Sequence, residues 1–352
     1  MKIRIAFMTA LACLIIGGNL MAFAPREKLK VGDLAPSNTL SAVTVHKQIG
    51  NVADIAGKPL VIEFWATWCG PCKKSIPHLS KLQKKYGTDR LNIIGVTYPD
   101  KAQTVEQIDR FVKKQGSRMD YWVVSDEGKM SKDWMQAAGQ NGIPCAFIVG
   151  DRGRIQFIGN PNDRKFEDIL DKVVRGRYDH VVMEKTKGHL VEIERAREMK
   201  NWEQYYKLTD DVISIDPIIF YNLHLDRFDV ELMERENPAK AYESAKALAV
   251  NRQDDPELLA WMAEHIALSP SIPDDKRNLD VALLLVESAR KGGDPKDTAL
   301  MTSEAKIRMA RGEVDKAVSL QRKASWSAPE SRKEEYKRLY QEYKSKASEA
   351  KN

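Results

Sequence analysis

Leu60-Val61-Ile62-Glu63-Phe64-Trp65-Ala66-Thr67-Trp68-Cys69-Gly70-Pro71-Cys72 is the stretch that decides the fold of this 352-residue chain. Residues 60–64 are short and β-branched enough to be a buried strand of a parallel sheet. Beyond Cys72, the residues Ile76, Leu79, Leu82 and Tyr86 recur at helical spacing, and Gly87 marks the end of that helix. The two thiols therefore fall where a strand gives way to a helix. Free backbone N–H groups and the dipole at a helix N-terminus favour thiolate over thiol, which makes Cys69 the expected nucleophile. Cys72, one turn along, is placed to attack a mixed disulfide formed by Cys69. Pro71 sits in the first turn, where a missing N–H costs little.

A metal site is the competing account of the cysteine pair. It needs a second pair of ligands, and the sequence offers no second Cys-x-x-Cys and no close His/Cys pair, since His46 and His78 stand in unrelated contexts. Redox chemistry is the better account, and no metal and no cofactor beyond the dithiol are expected. Glu63, a carboxylate inside an apolar strand that leads to the nucleophile, reads as a buried proton carrier with a raised pKa rather than a strand-edge ion-pair partner. Cys145 reads as a small buried hydrophobe rather than a third redox group. Trp68 shapes the groove beside the thiols, whereas Trp65 suits either groove or core.

The segment from Glu63 to Cys72 resembles the active-site segment of the thioredoxin superfamily. A second mark is Gly142-Ile143-Pro144 followed by the apolar run Cys145-Ala146-Phe147-Ile148-Val149. It is similar to the loop of that family in which a cis-proline faces the dithiol. The resemblance implies that Pro144 is cis, that Ile143 offers its backbone to an extended substrate, and that Trp68, Gly70 and Pro71 border the bound substrate. Val31-Gly32-Asp33-Leu34-Ala35-Pro36 and the extra helix-strand segment after Val96 point to the secreted TlpA/ResA-like branch. Two features depart from the family: Glu63 stands where thioredoxin proper has a buried aspartate, and Cys145 is not part of the pattern. A carboxylate at position 63 still suits proton transfer to the resolving thiol.

Strands are expected at residues 91–96, 121–124, 145–149 and 155–158. The helices expected between and after them cover Thr104 to Gln115, Lys129 to Ala138 and Phe166 to Val174. The expected fold is an α/β thioredoxin-like unit over residues 25–178, a central mixed sheet with helices on both faces. From residue 179 to residue 352 glycine becomes rare, β-branched runs disappear, and an all-α unit is expected. Asp216-Pro217, Asp255-Pro256 and Asp294-Pro295 each offer a capping aspartate ahead of a proline at the first helical position, and with Pro329 they recur every 34 to 39 residues. Ala305, Gly312, Ala317, Ala324 and Pro329 fall at the spacing of small residues in a tetratricopeptide repeat, and Ala282 and Ala289 echo it one unit earlier. A tetratricopeptide-like array is expected, with an irregular bundle as the competing architecture. Such arrays present a concave surface to protein or peptide partners.

Residues 1–24 carry a basic start, an apolar run from Ile5 to Ile16 and small residues at Ala22 and Ala24, the pattern of a signal peptide or membrane anchor. If the segment is removed, Cys13 goes with it. The formal net charge of +6 is mild for this length and gives no case for nucleic-acid binding. The expected activity is dithiol-disulfide exchange outside the cytoplasm: reduction of protein disulfides, with electrons from a membrane or extracytoplasmic donor and a protein or peptide partner on the helical repeats. An isomerase or oxidase direction stays open. So do a thiol peroxidase and a scaffold whose redox unit only docks the helices.

Overall fold

The computed structural model describes residues 28–37, 43–51, 55–329 and 332–349. The signal peptide or anchor expected over residues 1–24 lies outside them. Among the described residues no helix is long and apolar enough to cross a membrane.

Six strands form one mixed sheet: β1 (Thr44–Lys47), β2 (Leu60–Phe64), β3 (Asn92–Thr97), β4 (Trp122–Ser125), β5 (Cys145–Val149) and β6 (Ile155–Gly159), in the order β1-β4-β3-β2-β5-β6. The neighbours β2, β3 and β4 run parallel, while β1, β5 and β6 pair antiparallel at the edges. In register, Glu63 lies between Gly95 on β3 and Ala146 on β5. Both central strands are buried along their length, as a sheet covered on both faces requires.

Side-chain alternation along β2 splits the core. Val61 and Trp65 pack with α1 (Cys72–Tyr86), α2 (Val105–Gln115) and α3 (Arg164–Val174) on one face. On the other face Ile62 and Phe64 pack against Met130, Trp134 and Met135 of the helical segment that follows β4. That segment is π-helical over Ser131–Gln136 rather than the regular helix expected from Lys129 to Ala138. Helix α2 begins as its sequence indicates, with Thr104 and Gln107 exchanging reciprocal capping hydrogen bonds.

Strand β1 was not expected. It is only four residues long, half exposed and broken by a register shift, so alternation says little about it. Its anchor is His46, whose ring nitrogens lie 2.6 Å from Asp109 Oδ1 and 2.7 Å from Ser125 Oγ, tying the edge strand to α2 and β4.

After α3 the regular elements among the described residues are helices: α4 (His180–Glu198), α5 (Trp202–Ile215), α6 (Asn222–Asp229), α7 (Pro238–Asn251), α8 (Pro256–Leu268), α9 (Leu279–Gly292), α10 (Thr298–Ala310), α11 (Val314–Ser327) and α12 (Lys333–Glu349). Asp179, Asn201, Asn237, Asp255, Asn278 and Asp297 cap α4, α5, α7, α8, α9 and α10 through their side chains. Of the three Asp-Pro pairs, only Asp255-Pro256 starts a helix. Asp216 accepts the N–H groups of Ile218 and Ile219 in a turn ahead of α6. Asp294 accepts that of Lys296, and the cap of α10 moves on to Asp297. An aspartate side chain stabilises a turn by the same bond that it would use at a helix start, so the dipeptide alone does not separate the two. The small residues Ala282, Ala289, Ala305, Ala317 and Ala324 are all fully buried where helices cross.

The two halves meet at Arg177. Its guanidinium donates to both carboxylate oxygens of Asp255 at 2.9 and 2.7 Å and to the carbonyl of Ile218 at 2.8 Å. The rings of Tyr221 and Trp261 lie against it, with centroids 4.6 and 5.1 Å away. Arg152 pairs with Asp216 at 3.2 Å, and Arg175 pairs with Glu257, adding to the same junction.

Candidate active site

Cys69 and Cys72 are joined as a disulfide at the start of α1. The Cys69 carbonyl accepts the N–H of Lys73, and its Sγ lies 3.2 Å from the N–H of Cys72. A Ser or Thr N-cap holds its oxygen in the same place, so the sulfur of Cys69 takes the N–H of Cys72 at the positive end of the helix. Charge on this sulfur is stabilised there. Cys72, inside the first turn, is fully buried, whereas Cys69 retains 4% of its surface beside exposed Trp68, Gly70 and Pro71. The expected nucleophile is thus nearly covered, though not sealed. Of the two cysteines, Cys69 is the one that keeps any surface.

Across from the pair, the Ile143-Pro144 peptide bond is cis. The carbonyl oxygen of Ile143 lies 3.8 Å from Cys69 Sγ, so the loop ahead of β5 and the start of α1 form one surface. Beside it a cavity of about 280 Å³ is lined by Phe64, Trp65, Trp68, Val96, Met135 and Ile143, with Asp100, Gln103 and Gln136 also in its wall. Trp68 is 56% exposed at this edge, while Trp65 is buried against Phe111 in the core. Sequence reasoning missed Gln103. Its Oε1 accepts the N–H and hydroxyl of Thr67 at 2.8 and 2.9 Å, and its Nε2 donates to Thr97 and to the carbonyl of Tyr98. This side chain braces the loop that delivers Cys69.

Glu63 is fully buried, and burial pushes its carboxyl up to about 8, an effect that a hydrogen bond from Ser75 only partly opposes. Ser75 Oγ lies 3.1 Å from Glu63 Oε1 and 2.9 Å from the carbonyl of Cys72. A hydroxyl has one proton to give, so two acceptors this close are both satisfied when Glu63 carries a proton of its own. Ser75 therefore links the carboxyl to the Cys72 end of α1. Ser75 also escaped the sequence reading, although it shares the buried helix face with Cys72 and Leu79. Cys145 is free and buried on the other face of the sheet, opposite Phe64, and burial, with the charge of Glu63 adding to it, pushes its thiol up to about 12.

Residues 30–174 match the Redoxin family. A thiol-disulfide oxidoreductase ResA of Bacillus thuringiensis is 28% identical over 153 residues, covering 43% of this chain and 83% of the relative. Protein FixW of Rhizobium leguminosarum is 28% identical over 180 residues, 46% of this chain and 80% of its own. The thioredoxin-like protein YneN of Bacillus subtilis is 27% identical over 156 residues, 41% and 80% respectively. Among solved structures, the thioredoxin domain of a thiol-disulfide oxidoreductase from Bacteroides vulgatus aligns with a TM-score of 0.32 and 22% identity, covering 41% of this chain and 99% of that one. A thiol-disulfide isomerase from Corynebacterium glutamicum aligns with a TM-score of 0.32 and 19% identity, covering 43% and 97%. With a bonded cysteine pair at a helix start, a cis-proline beside it and this matched span, the sheet-bearing half of the chain is similar to the Redoxin domains of thiol-disulfide oxidoreductases.

Proposed function

We propose that the chain reduces disulfides of proteins outside the cytoplasm, with residues 25–178 as the redox unit and residues 179–352 as a tetratricopeptide-like unit that holds a protein or peptide partner. The observation that carries the redox reading is the position of Cys69 Sγ: on the N–H of Cys72 at 3.2 Å and 3.8 Å from the Ile143 carbonyl that precedes cis-Pro144. In the reduced state the Cys69 thiolate attacks one sulfur of a substrate disulfide. A Cys69-substrate bond forms and the other substrate sulfur leaves as a thiolate. Cys72 then gives its proton to Glu63 and attacks Cys69 Sγ, which restores the Cys69–Cys72 bond and releases the second substrate thiolate. Two electrons pass from the dithiol to the substrate.

A carboxyl near 8 and an ordinary thiol near 8.5 exchange a proton at little cost, which suits Glu63 to this step. Trp68, Gly70, Pro71, Ile143 and Pro144 border the surface on which an extended substrate lies. The Gly-Pro pair between the cysteines resembles that of reducing relatives and supports the reductive direction, with electrons resupplied by a membrane or extracytoplasmic donor. The location rests on the leader-like sequence of residues 1–24. The role of the helical half rests on its buried alanines and stacked helix pairs.

Insulin reduction tests the reading. The wild-type protein should precipitate insulin chains in the presence of dithiothreitol, and Cys69→Ser should abolish the acceleration. An inactive wild type that still captures partners through the helical half would reject the reductase reading in favour of a scaffold.

A further inference from the structure

Three buried polar atoms on one face of the sheet lack a hydrogen-bond partner: Glu63 Oε2, the Tyr121 hydroxyl and Trp65 Nε1, with the Tyr121 and Trp65 rings both packed over Gly95. Gly95 is the register partner of Glu63 on β3, so both residues direct their Cα substituents to the same face of the sheet. A methyl group added at Gly95 would lie 2.9 Å from Tyr121 Cε2 and 3.2 Å from Trp65 Nε1. Tyr121 and Trp65 belong to the same core as Cys72, and all three are at most 2% exposed. Buried groups of this kind are rarely left unpaired, because each costs roughly 1–3 kcal/mol.

The chemistry of each atom indicates when pairing would matter. Trp65 Nε1 can only donate, and the Tyr121 hydroxyl can donate or accept. Either can donate to Oε2, and the bond is worth most when the carboxyl is ionised, because hydrogen bonds to a charged acceptor are stronger than those to a neutral one. Before Glu63 takes the Cys72 proton it is a carboxylate, and Oε2 then calls for donors; these two are the ones beside Gly95.

We propose that Tyr121 is a positioning residue for the proton exchanged between Cys72 and Glu63, its hydroxyl serving with Trp65 Nε1 as a donor to Oε2 of the ionised carboxylate. This rests on the reading of Glu63 as the proton carrier. The groups facing Glu63 leave little else to do this work. Helix α1 contributes Ser75 and the Cys72 end of the disulfide, β5 contributes Ala146, its Cys145 thiol lying on the opposite face of the sheet, and α2 and α3 contribute the apolar Ile108, Val112, Phe166 and Leu170. The hydroxyl of Tyr121 is itself held well above its usual range, by burial and then by the charge of Glu63, so it stays protonated and able to donate.

The test compares single-turnover reduction of insulin by the pre-reduced full chain across pH 5 to 10 for wild type, Tyr121→Phe, Glu63→Gln and the double variant. Loss of one donor to a buried carboxylate should move the Glu63-dependent limb of the Tyr121→Phe profile upward by about one pH unit. In the Glu63→Gln background the same change should shift nothing further. A Tyr121→Phe profile that overlays the wild type while Glu63→Gln differs overturns this inference alone. A Glu63→Gln profile that overlays the wild type overturns the proton-carrier reading and the inference with it. Should Tyr121→Phe not fold, the wild type provides the second readout: the ring carbons of 13C-labelled Tyr121 in the oxidised protein should inflect near pH 8, and their silence overturns the inference.

Discussion

The hydroxyl of Ser75 lies 3.1 Å from Oε1 of Glu63, and it is the polar side chain that holds a fully buried carboxyl in the core beside the disulfide. The folded state keeps this group protonated up to about 8, whereas in an unfolded chain it ionises near 4.5. Between those two values the folded form binds more protons than the unfolded form. Stability is therefore fully present below about pH 4.5, falls as pH rises, by up to about 1.4 kcal/mol per unit, and levels off above pH 8. Urea unfolding of the oxidised protein, whose active-site thiols do not titrate, should show this decline, and Glu63→Gln should flatten it. A wild-type curve already flat between pH 5 and 8 would mean that the carboxyl is not held neutral.

How far this site was legible follows from which residues announce themselves. Cys69, Cys72, Glu63 and Pro144 were readable because each breaks a local pattern: thiols at a strand-helix junction, a charge within an apolar run, a proline ahead of a strand. Ser75, Gln103 and Tyr121 break none. A serine among lysines on a helix, a glutamine before a helix and a tyrosine entering a strand are ordinary in those places, and their work appears only when the chain folds back over Gly95 and Thr67. Asp216 and Asp294 misled for a related reason, since a turn and a helix start reward the same side-chain oxygen. The long-range partners of His46 left no local trace.

The three cysteines beyond the N-terminal segment should separate by reactivity. In the reduced protein Cys69 faces helix amides and retains surface, Cys72 is covered, and Cys145 is buried with a thiol pushed up to about 12. Iodoacetamide at pH 7 should therefore modify Cys69 first, by a factor of at least about 10 over the other two. With Cys72→Ala the mixed disulfide has no resolving thiol, so a Cys69-substrate adduct should accumulate on non-reducing gels and disappear in Cys69→Ala. Peptide mass spectrometry locates both modifications; preferential labelling of Cys145 would refute the assignment.

Gly95 supplies a steric test of the same region. Its position beside Glu63 leaves no room for a methyl group, because Tyr121 Cε2 would come within 2.9 Å and Trp65 Nε1 within 3.2 Å. Both rings are wedged in the core, so neither can swing away cheaply. Gly95→Ala should destabilise the protein by about 1–3 kcal/mol through overpacking. It should also slow insulin reduction if, as proposed, Glu63 takes the Cys72 proton, because Gly95 is its register partner on the same face of the sheet. Unchanged thermal unfolding of Gly95→Ala would show that the region is looser than its packing indicates.

Arg177 separates stability from chemistry. Its fork meets both oxygens of Asp255, and the two side chains are 4% and 3% exposed. Removal of one partner leaves a buried charge, which costs about 3–5 kcal/mol. Here Arg252, 3.2 Å from Asp255, still offsets part of it, so Arg177→Ala should fall near the lower figure. Lysine cannot reproduce two parallel hydrogen bonds or stack flat against Tyr221 and Trp261, so Arg177→Lys should recover only a minor part. None of these contacts touches Cys69, Cys72 or Pro144. Insulin reduction under native conditions should therefore stay within about two-fold of wild type, while guanidinium unfolding followed by circular dichroism shifts to lower denaturant. Loss of reductase activity at full stability would instead make the junction part of the catalytic apparatus, because a clamp that acts only on packing cannot change the rate without changing the midpoint.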